Sequence, residues 1–204
     1  MNGFIVEKGV VAGNVYDKYG TRNPIARRLM QGFLGSVVEL VKIASPSDIH
    51  EVGCGEGLLS IHLSGQAMRI RGSDFSEQVI EKARKNATGA GASIEFKAAD
   101  LYAFDPEKDA ASMIICCEVL EHLEEPGRAM EMLCRVARPH LLVSVPREPI
   151  WRILNLMRGQ LHDTPGHIQH WSKTGFLSFL ERYVEVVEVR TPLPWTIALC
   201  RTRG

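Results

Sequence analysis

The sequence predicts an α/β fold in which a seven-stranded, mostly parallel sheet ends in an antiparallel last strand and carries helices on both faces. Apolar runs of strand length alternate with stretches of helical periodicity, as in a parallel sheet wrapped by helices. A glycine-rich bend follows the first of these runs. The last two runs are joined only by Pro192–Pro194, which is too short for a crossover helix, so they should pair antiparallel.

Length and composition predict a single domain over residues 1–204. A chain of 204 residues with 45% hydrophobic side chains can build one substantial core, but hardly two. Within this domain we expect an N-terminal helical cap at 1–45 and an insertion after the fifth strand at 146–172. The strands are expected at about 48–53, 69–74, 93–98, 112–117, 140–145, 184–190 and 196–202.

Three helices are predicted from capping residues and apolar stripes. Ser76 can cap a helix that runs to about Ala87, and a second helix is expected at about 127–137. Pro24 suits the first turn of a helix in the N-terminal cap. Two of these helices have apolar side chains at helical spacing: Val79, Ile80, Ala83 and Ala87 in one, and Ile25, Leu29, Phe33 and Val37 in the other.

The most informative segment is Glu51–Gly57, E-V-G-C-G-E-G, at the end of the first predicted strand. Its three alternate glycines lack a Cβ atom, so the chain can turn sharply and let a ligand approach its backbone amides. Asp74 ends the next predicted strand, where its carboxylate can accept hydrogen bonds from two ribose hydroxyls. Taken singly, the glycines could make only a tight turn and Asp74 could cap a helix, but together they indicate a nucleoside site.

The spacing and charge of this segment distinguish between nucleoside cofactors. A dinucleotide site uses G-x-G-x-x-G and lays pyrophosphate on a helix N-terminus, whereas the spacing here is G-x-G-x-G. Glu51 precedes the glycines and Glu56 lies among them, so two carboxylates would repel a pyrophosphate. A cationic ligand without phosphate fits better, and S-adenosylmethionine carries a sulfonium and an ammonium group.

Two further segments follow in order. Ala98–Leu101 places Asp100 after the third predicted strand, and Ile114–His122 has the sequence I-I-C-C-E-V-L-E-H at the fourth. With the glycine segment and Asp74, these matches make the chain resemble the class I S-adenosylmethionine-dependent methyltransferases, in their ubiquinone-biosynthesis-like branch. The resemblance implies a Rossmann-like fold, S-adenosyl-L-methionine as the cofactor and methyl transfer as the reaction.

The resemblance also implies which residues bind the cofactor. Glu51 is expected to orient the loop or meet the ammonium group through water, Asp74 to hold the ribose, and Asp100 with Leu101 to border the adenine. Backbone at 117–118 should border the methionine part. The full expected set is Tyr16, Glu51, Gly53, Cys54, Gly55, Asp74, Phe75, Asp100, Leu101, Cys117 and Glu118.

Tyr16 and Tyr19 precede the N-terminal helix. In the resembled family such an N-terminal segment covers the cofactor, so either ring is a candidate to lie near the sulfonium, whose charge a ring face attracts. Their alternative role, as aromatic anchors that fix the segment to the sheet, stays open.

The insertion at 146–172 follows the carboxyl end of a parallel strand, where open α/β sheets place their ligands. An acceptor atom that carries a proton must lose it during methyl transfer, so we expect His167 or His170 to be the general base. A packing or hydrogen-bonding role for either histidine is the open alternative. The polar and aromatic side chains of the insertion are Trp151, His162, Asp163, His167, His170 and Trp171.

The segment Glu118–His122 also permits a divalent-metal site. On a helix that opens after the fourth strand, Glu118, Glu121 and His122 would share one face, and a later histidine would complete the ligands. This constellation resembles the metal-dependent small-RNA 3′-terminal 2′-O-methyltransferases. Because E-V-L-E-H also occurs in metabolite methyltransferases without a metal, the preferred interpretation includes no metal ligand.

Composition favours a small-molecule acceptor over nucleic acid. The 24 basic and 24 acidic side chains balance, so no global field draws the chain to nucleic acid or to an anionic membrane.

No apolar run approaches the roughly 18 residues of a membrane span, and the N-terminus does not resemble a signal peptide, so we expect a cytoplasmic protein. Five cysteines without a C-x-x-C pair indicate neither a disulfide framework nor a zinc site. A non-catalytic S-adenosylmethionine-binding protein is the alternative from another class, and the methylated atom and the oligomeric state are left open.

Overall fold

The structure, a computed structural model, describes residues 5–7, 10–12, 23–66, 68–157 and 167–203. Its strands are β1 (Ile5–Glu7), β2 (Val10–Ala12), β3 (Asp48–Val52), β4 (Arg69–Asp74), β5 (Glu95–Ala98), β6 (Ala111–Cys117), β7 (Ala137–Pro146), β8 (Val184–Arg190) and β9 (Trp195–Thr202). Its helices are α1 (Pro24–Ala44), α2 (Leu58–Leu63), α3 (Glu77–Gly89), α4 (Pro126–Val136), α5 (Ile150–Met157) and α6 (Lys173–Leu180).

In the described part of the chain, seven strands form one sheet in the order β5-β4-β3-β6-β7-β9-β8. Strands β3 to β7 pair in parallel, and β9 runs antiparallel to both of its neighbours. The predicted fold class and all seven predicted strands are confirmed. From β3 the chain runs outward through β4 to β5 and then returns to the other side of β3 as β6, so the strand order reverses at β3. Open α/β sheets bind ligands at the carboxyl ends of strands next to such a reversal.

The side chains of the central strands alternate between two cores, one on each face of the sheet. On β6, Ile114 and Cys116 pack into one core, while Met113 and Ile115 pack into the other. This alternation follows from the two-residue period of a strand and explains why the strands are apolar on both faces. Helices α4 and α6 cover the first core, and α1 covers the second.

The helix ends follow the expected chemistry. The Ser76 hydroxyl accepts a hydrogen bond from the Val79 amide (3.3 Å) and caps α3, as predicted. The Asn23 side chain accepts from the Ile25 amide (2.9 Å) and caps α1, which Pro24 begins. Helix α4 lies within one residue of its predicted ends.

The N-terminal region departs from the predicted helical cap in two respects. Strands β1 and β2 pair antiparallel, so residues 5–12 contain a short two-stranded sheet that the sequence pattern did not predict. Helix α1 packs directly on the sheet as part of the core, and does not lie over it as a separate cap: Phe33 and Val37 are almost fully buried. No helix among the described residues combines the length and the apolar character needed to cross a membrane.

Candidate active site

The segment Glu51–Gly57, called the cofactor loop below, turns off the carboxyl end of β3 through three glycines with positive φ. At Gly53, where φ is 71°, an added Cβ atom would overlap with Cγ2 of Val119. At Gly55, where φ is 52°, nothing lies within 4 Å of that position, so the loop tip faces open space. Residues that carry a Cβ atom rarely adopt such backbone φ values, which explains why glycine occupies these three positions.

Asp74 ties the cofactor loop to the end of β4. Its Oδ2 atom accepts a hydrogen bond from the Gly55 amide (3.0 Å), and its Oδ1 atom accepts from the Ser76 amide (3.1 Å). The backbone carbonyl of Ser73 accepts from the amides of Gly53 and Cys54 at 2.8 and 2.9 Å. The predicted nucleoside segments therefore meet at one edge of the sheet, with Asp74 only 8% exposed.

Glu51 is buried in β3 immediately before the loop, with 5% of its surface exposed. The hydroxyl of Ser60, in α2, donates a hydrogen bond to its Oε2 atom. Burial raises the pKa of Glu51 to about 8; the Ser60 hydrogen bond opposes that rise, and the charge of Asp74 adds to it. Near neutral pH this carboxyl group therefore holds a proton when no ligand is present.

The adenine-side candidates lie beside Asp74. The Ala99 amide donates to the Asp74 carbonyl (2.8 Å), which brings the end of β5 next to the end of β4. Asp100 is exposed and caps a short 3-10 turn by accepting from the Tyr102 amide (2.9 Å). Leu101 is buried at the start of that turn, and Phe75 is half-buried after Asp74.

The chain after β6 does not form the α-helix that the sequence predicts. Glu118 has a positive φ of 60°, and only a 3-10 turn, Leu120–His122, follows. The Glu118 carboxylate accepts hydrogen bonds from Trp195 Nε1 (2.7 Å) and the Ser144 hydroxyl (3.2 Å). The prediction that Glu118, Glu121 and His122 share one helix face is therefore wrong, because the strained turn at Glu118 directs its side chain toward β7 and β9.

Cys117, at the end of β6, fits a lining role rather than a chemical one. Burial raises the pKa of its thiol well above the usual value, and the Ser144 hydrogen bond opposes this only in part. The thiol therefore stays neutral near physiological pH.

Glu121, His122 and His167 form what we call the acceptor cluster. One ligand atom from each lies within 4.8 Å of the other two, and Glu121 is buried. The rings of His122 and His167 meet edge to face with 4.8 Å between centroids, and Trp151 stacks on His167 at 6.0 Å. The Glu121 carbonyl accepts from the amides of Ile168 (2.9 Å) and of the next residue, which holds the returning insertion against this turn.

The second histidine candidate has a different environment. His170 Nδ1 lies 3.5 Å from Glu148 Oε1, and 40% of the His170 side chain is exposed. His170 is not part of the acceptor cluster. The candidates Tyr16, Tyr19, His162 and Asp163 lie outside the described residues.

Sequence reasoning missed three side chains that hold the site, namely Ser60, Ser144 and Trp195. For Trp195 a signal existed, because β9 was predicted antiparallel and so begins at the same edge where β7 ends; Trp195 pairs with Pro146 there. For Ser60 no pattern in the sequence pointed to a contact with Glu51.

A family model described as a methyltransferase domain matches residues 49–140, which include the cofactor loop, Asp74 and Glu118–His122. The family model, the curated relatives and the solved structures support a class I S-adenosylmethionine-dependent methyltransferase. Among the curated relatives, the ubiquinone biosynthesis O-methyltransferase of Coxiella burnetii is 26% identical over 151 residues. That alignment covers 64% of this chain and 63% of the relative, so the chain spans less than two thirds of the relative's length.

Solved structures of methyltransferases share the fold. Magnesium protoporphyrin IX methyltransferase from Synechocystis, crystallised with SAH, superposes with a TM-score of 0.71 at 20% identity and 90% coverage of both chains. The methyltransferase domain of bacterial CtHen1 gives a TM-score of 0.66 at 22% identity, with 85% of this chain and 99% of that chain covered.

Proposed function

We propose that this chain binds S-adenosylmethionine at the cofactor loop and transfers its methyl group to an oxygen, nitrogen or carbon atom of a small-molecule acceptor. The observation that carries the proposal is the hydrogen-bonded pairing of the cofactor loop with Asp74 at the carboxyl ends of β3 and β4. The match of residues 49–140 to a methyltransferase-domain model supports it.

The residues present fit this cofactor. The tip of the loop at Gly55 has open space beside it, and the Asp74 carboxylate beside the loop favours a cationic ligand over a phosphate, as does Glu51 when it is ionised. Asp74 would accept hydrogen bonds from the ribose hydroxyls, and Asp100 with Leu101 would border the adenine. When bound, the cofactor supplies a methyl carbon that its sulfonium already activates. The chain then has to position the acceptor, exclude water and remove a proton.

For proton removal we propose His167 or His170. His167 is supported by its ring contacts with Trp151 and His122 and by its place beside Glu121 near the carboxyl end of β6. His170 is supported by its carboxylate neighbour Glu148, although its exposure gives weaker shielding from water. An imidazole with a pKa near neutrality can take a proton from a hydroxyl or amine that it contacts.

Replacing Asp74 by Ala tests the cofactor site directly. We expect cofactor affinity to fall by about 2 to 3 kcal/mol, or roughly 30- to 150-fold, because two charge-assisted hydrogen bonds would be lost. Isothermal titration with S-adenosylmethionine measures this change. The matched control is Asp48→Ala, which removes an acid from the opposite end of β3. Equal, unchanged affinity in both variants would contradict the proposed site.

The acceptor cluster favours one second candidate function, a metal-assisted methyl transfer of the kind that modifies the terminal 2′-hydroxyl of RNA. One carboxylate and two imidazoles within 4.8 Å form a donor set suited to a divalent transition metal. The balance of 24 basic and 24 acidic residues disfavours an RNA groove, which is why this function ranks second. This second function predicts that protein purified without a histidine tag contains a metal. It also predicts turnover on RNA that ends in a 2′-hydroxyl nucleotide and no turnover on RNA that ends in a 2′-deoxy nucleotide.

A cofactor-binding protein without catalysis is the remaining alternative. It predicts wild-type binding of S-adenosylmethionine but no release of S-adenosylhomocysteine across a panel of phenols, amines and carboxylates. Release with any one of these acceptors would exclude this alternative.

A further inference from the structure

Ser60 lies on α2, just beyond the cofactor loop, and is completely buried. Its hydroxyl donates to Glu51, which lies in β3 just before the loop, so this one hydrogen bond joins the two ends of the loop. The other side of the loop is joined to β4 through the Gly55 amide and Asp74. The loop is thus fixed from two directions, and of these two hydrogen bonds the one from Ser60 is made to Glu51.

We propose that Ser60 is a positioning residue of the cofactor site: its hydroxyl fixes the Glu51 carboxyl group beside the loop and favours the ionised form that attracts a cationic cofactor. This inference rests on the role of Glu51 in the proposed function. A hydrogen-bond donor stabilises a carboxylate more than a carboxylic acid, and burial acts in the opposite direction. The balance between these two effects decides whether Glu51 carries a charge when the cofactor arrives.

Among the described residues, the hydroxyl and the backbone of Ser60 offset the effect of burial on the pKa of Glu51. Asp74 faces it from β4 and disfavours its ionisation. The thiols of Cys54 in the loop and of Cys116 and Cys117 in β6 are also near Glu51, but burial raises the pKa of all three, so they stay neutral and add no charge. The Ser60 hydrogen bond lowers the pKa of Glu51 against these effects, yet leaves it at about 8.

Replacing Ser60 by Ala should therefore shift the pH dependence of cofactor binding. The affinity for S-adenosylmethionine is measured by isothermal titration between pH 6 and 9 in both proteins. Because the amine of the ligand titrates equally in both experiments, only the difference between the two profiles reports on Glu51. We expect the midpoint to move upward by about one pH unit, with affinity about tenfold lower near pH 7 and only about twofold lower at pH 9.

Three further variants make the test specific, and a fourth is held in reserve. Ser73→Ala removes another buried hydroxyl, one that contacts His50 rather than Glu51, and should keep the wild-type midpoint. Ser60→Thr retains the hydroxyl and should restore the wild-type profile. Glu51→Gln should remove the pH step that Ser60→Ala moves. If Ser60→Ala does not fold, Ser60→Cys, whose thiol is a weak donor, replaces it with the same expected shift.

The outcomes separate the inference from the proposed function. An affinity that falls by the same factor at every pH in Ser60→Ala, or a profile identical to wild type, overturns the role of Ser60. If Glu51→Gln itself binds S-adenosylmethionine like the wild type at every pH, the role of Glu51 in the proposed function fails as well. A shifted midpoint in Ser60→Ala, with Ser73→Ala unchanged, supports the inference.

Discussion

The cofactor loop and the acceptor cluster lie at the same edge of the sheet, yet different kinds of contact hold them. The loop is held by contacts between residues close in the chain: the Gly55 amide donates to Asp74, 19 residues away, and the Ser60 hydroxyl donates to Glu51, nine residues away. The turn that carries the acceptor cluster is held by side chains from distant elements, such as Trp195 on Glu118, 77 residues apart. The loop therefore has one geometry that its own glycines impose, whereas the acceptor side depends on how the insertion and β9 pack against it.

This difference has a consequence for function. A ligand common to a whole family needs a constant binding geometry, which short backbone contacts provide. Acceptors differ between enzymes, and a region held by side chains of an insertion can change without disturbing the sheet. Substitutions on the two sides should therefore affect different measurements, which the following predictions test.

The largest effect is expected at Gly53. Replacing it by Ala combines a positive φ of 71° with an overlap against Val119, and should cost on the order of 3 to 5 kcal/mol in stability. Gly55→Ala is the matched control, because its φ of 52° is equally restrictive but its Cβ would meet nothing within 4 Å. We expect it to cost only about 1 kcal/mol. Urea denaturation compares the two, and equal losses would show that packing against Val119 does not constrain the loop.

On the acceptor side, replacing His167 by Ala should lower turnover about 100-fold, if His167 takes the proton, and should leave the affinity for S-adenosylmethionine within about twofold. His170→Ala is the comparison, since its ring is more exposed and lies outside the acceptor cluster. Steady-state turnover with a working acceptor and isothermal titration with the cofactor are both needed. Unchanged turnover in both variants would remove a histidine base from the mechanism.

Per pH unit, the smallest of the three effects is the change of stability at Glu51. Its pKa in the folded protein, about 8, lies above the ordinary value of 4.5, so the folded state prefers the protonated form. The resulting stability is fully present below about pH 4.5 and is lost as the pH rises through about 8. Relative to Glu51→Gln, the wild type should lose up to about 1.4 kcal/mol per pH unit in this window.

Urea denaturation of both proteins without ligand, from pH 5 to 9, checks this expectation. The neighbouring histidine His50 has a pKa lowered to about 4 by burial and is common to both proteins, so its contribution cancels in the difference. A constant difference across the whole range would mean that Glu51 ionises as freely in the fold as in the unfolded chain.

The sequence alone predicted the sheet and the meeting of the Glu51–Gly57 loop with Asp74. Strand ends, the positions of the glycines and the acid at the end of β4 all follow from patterns within about twenty residues of one another, because parallel strands align their carboxyl ends. The apolar runs predicted all seven strands, and Ser76 marked the start of α3.

The tertiary structure alone decided the partners of the acidic side chains. Nothing local in the sequence indicates that Ser60 contacts Glu51, that Trp195 and Ser144 hold Glu118 in a positive-φ turn, or that His167 and not Glu118 joins Glu121 and His122. A helical pattern at E-V-L-E-H predicted the wrong face, because local periodicity cannot register the hydrogen bonds that β7 and β9 offer to Glu118. Those bonds exist only once distant strands are side by side, so they depend on the packed fold.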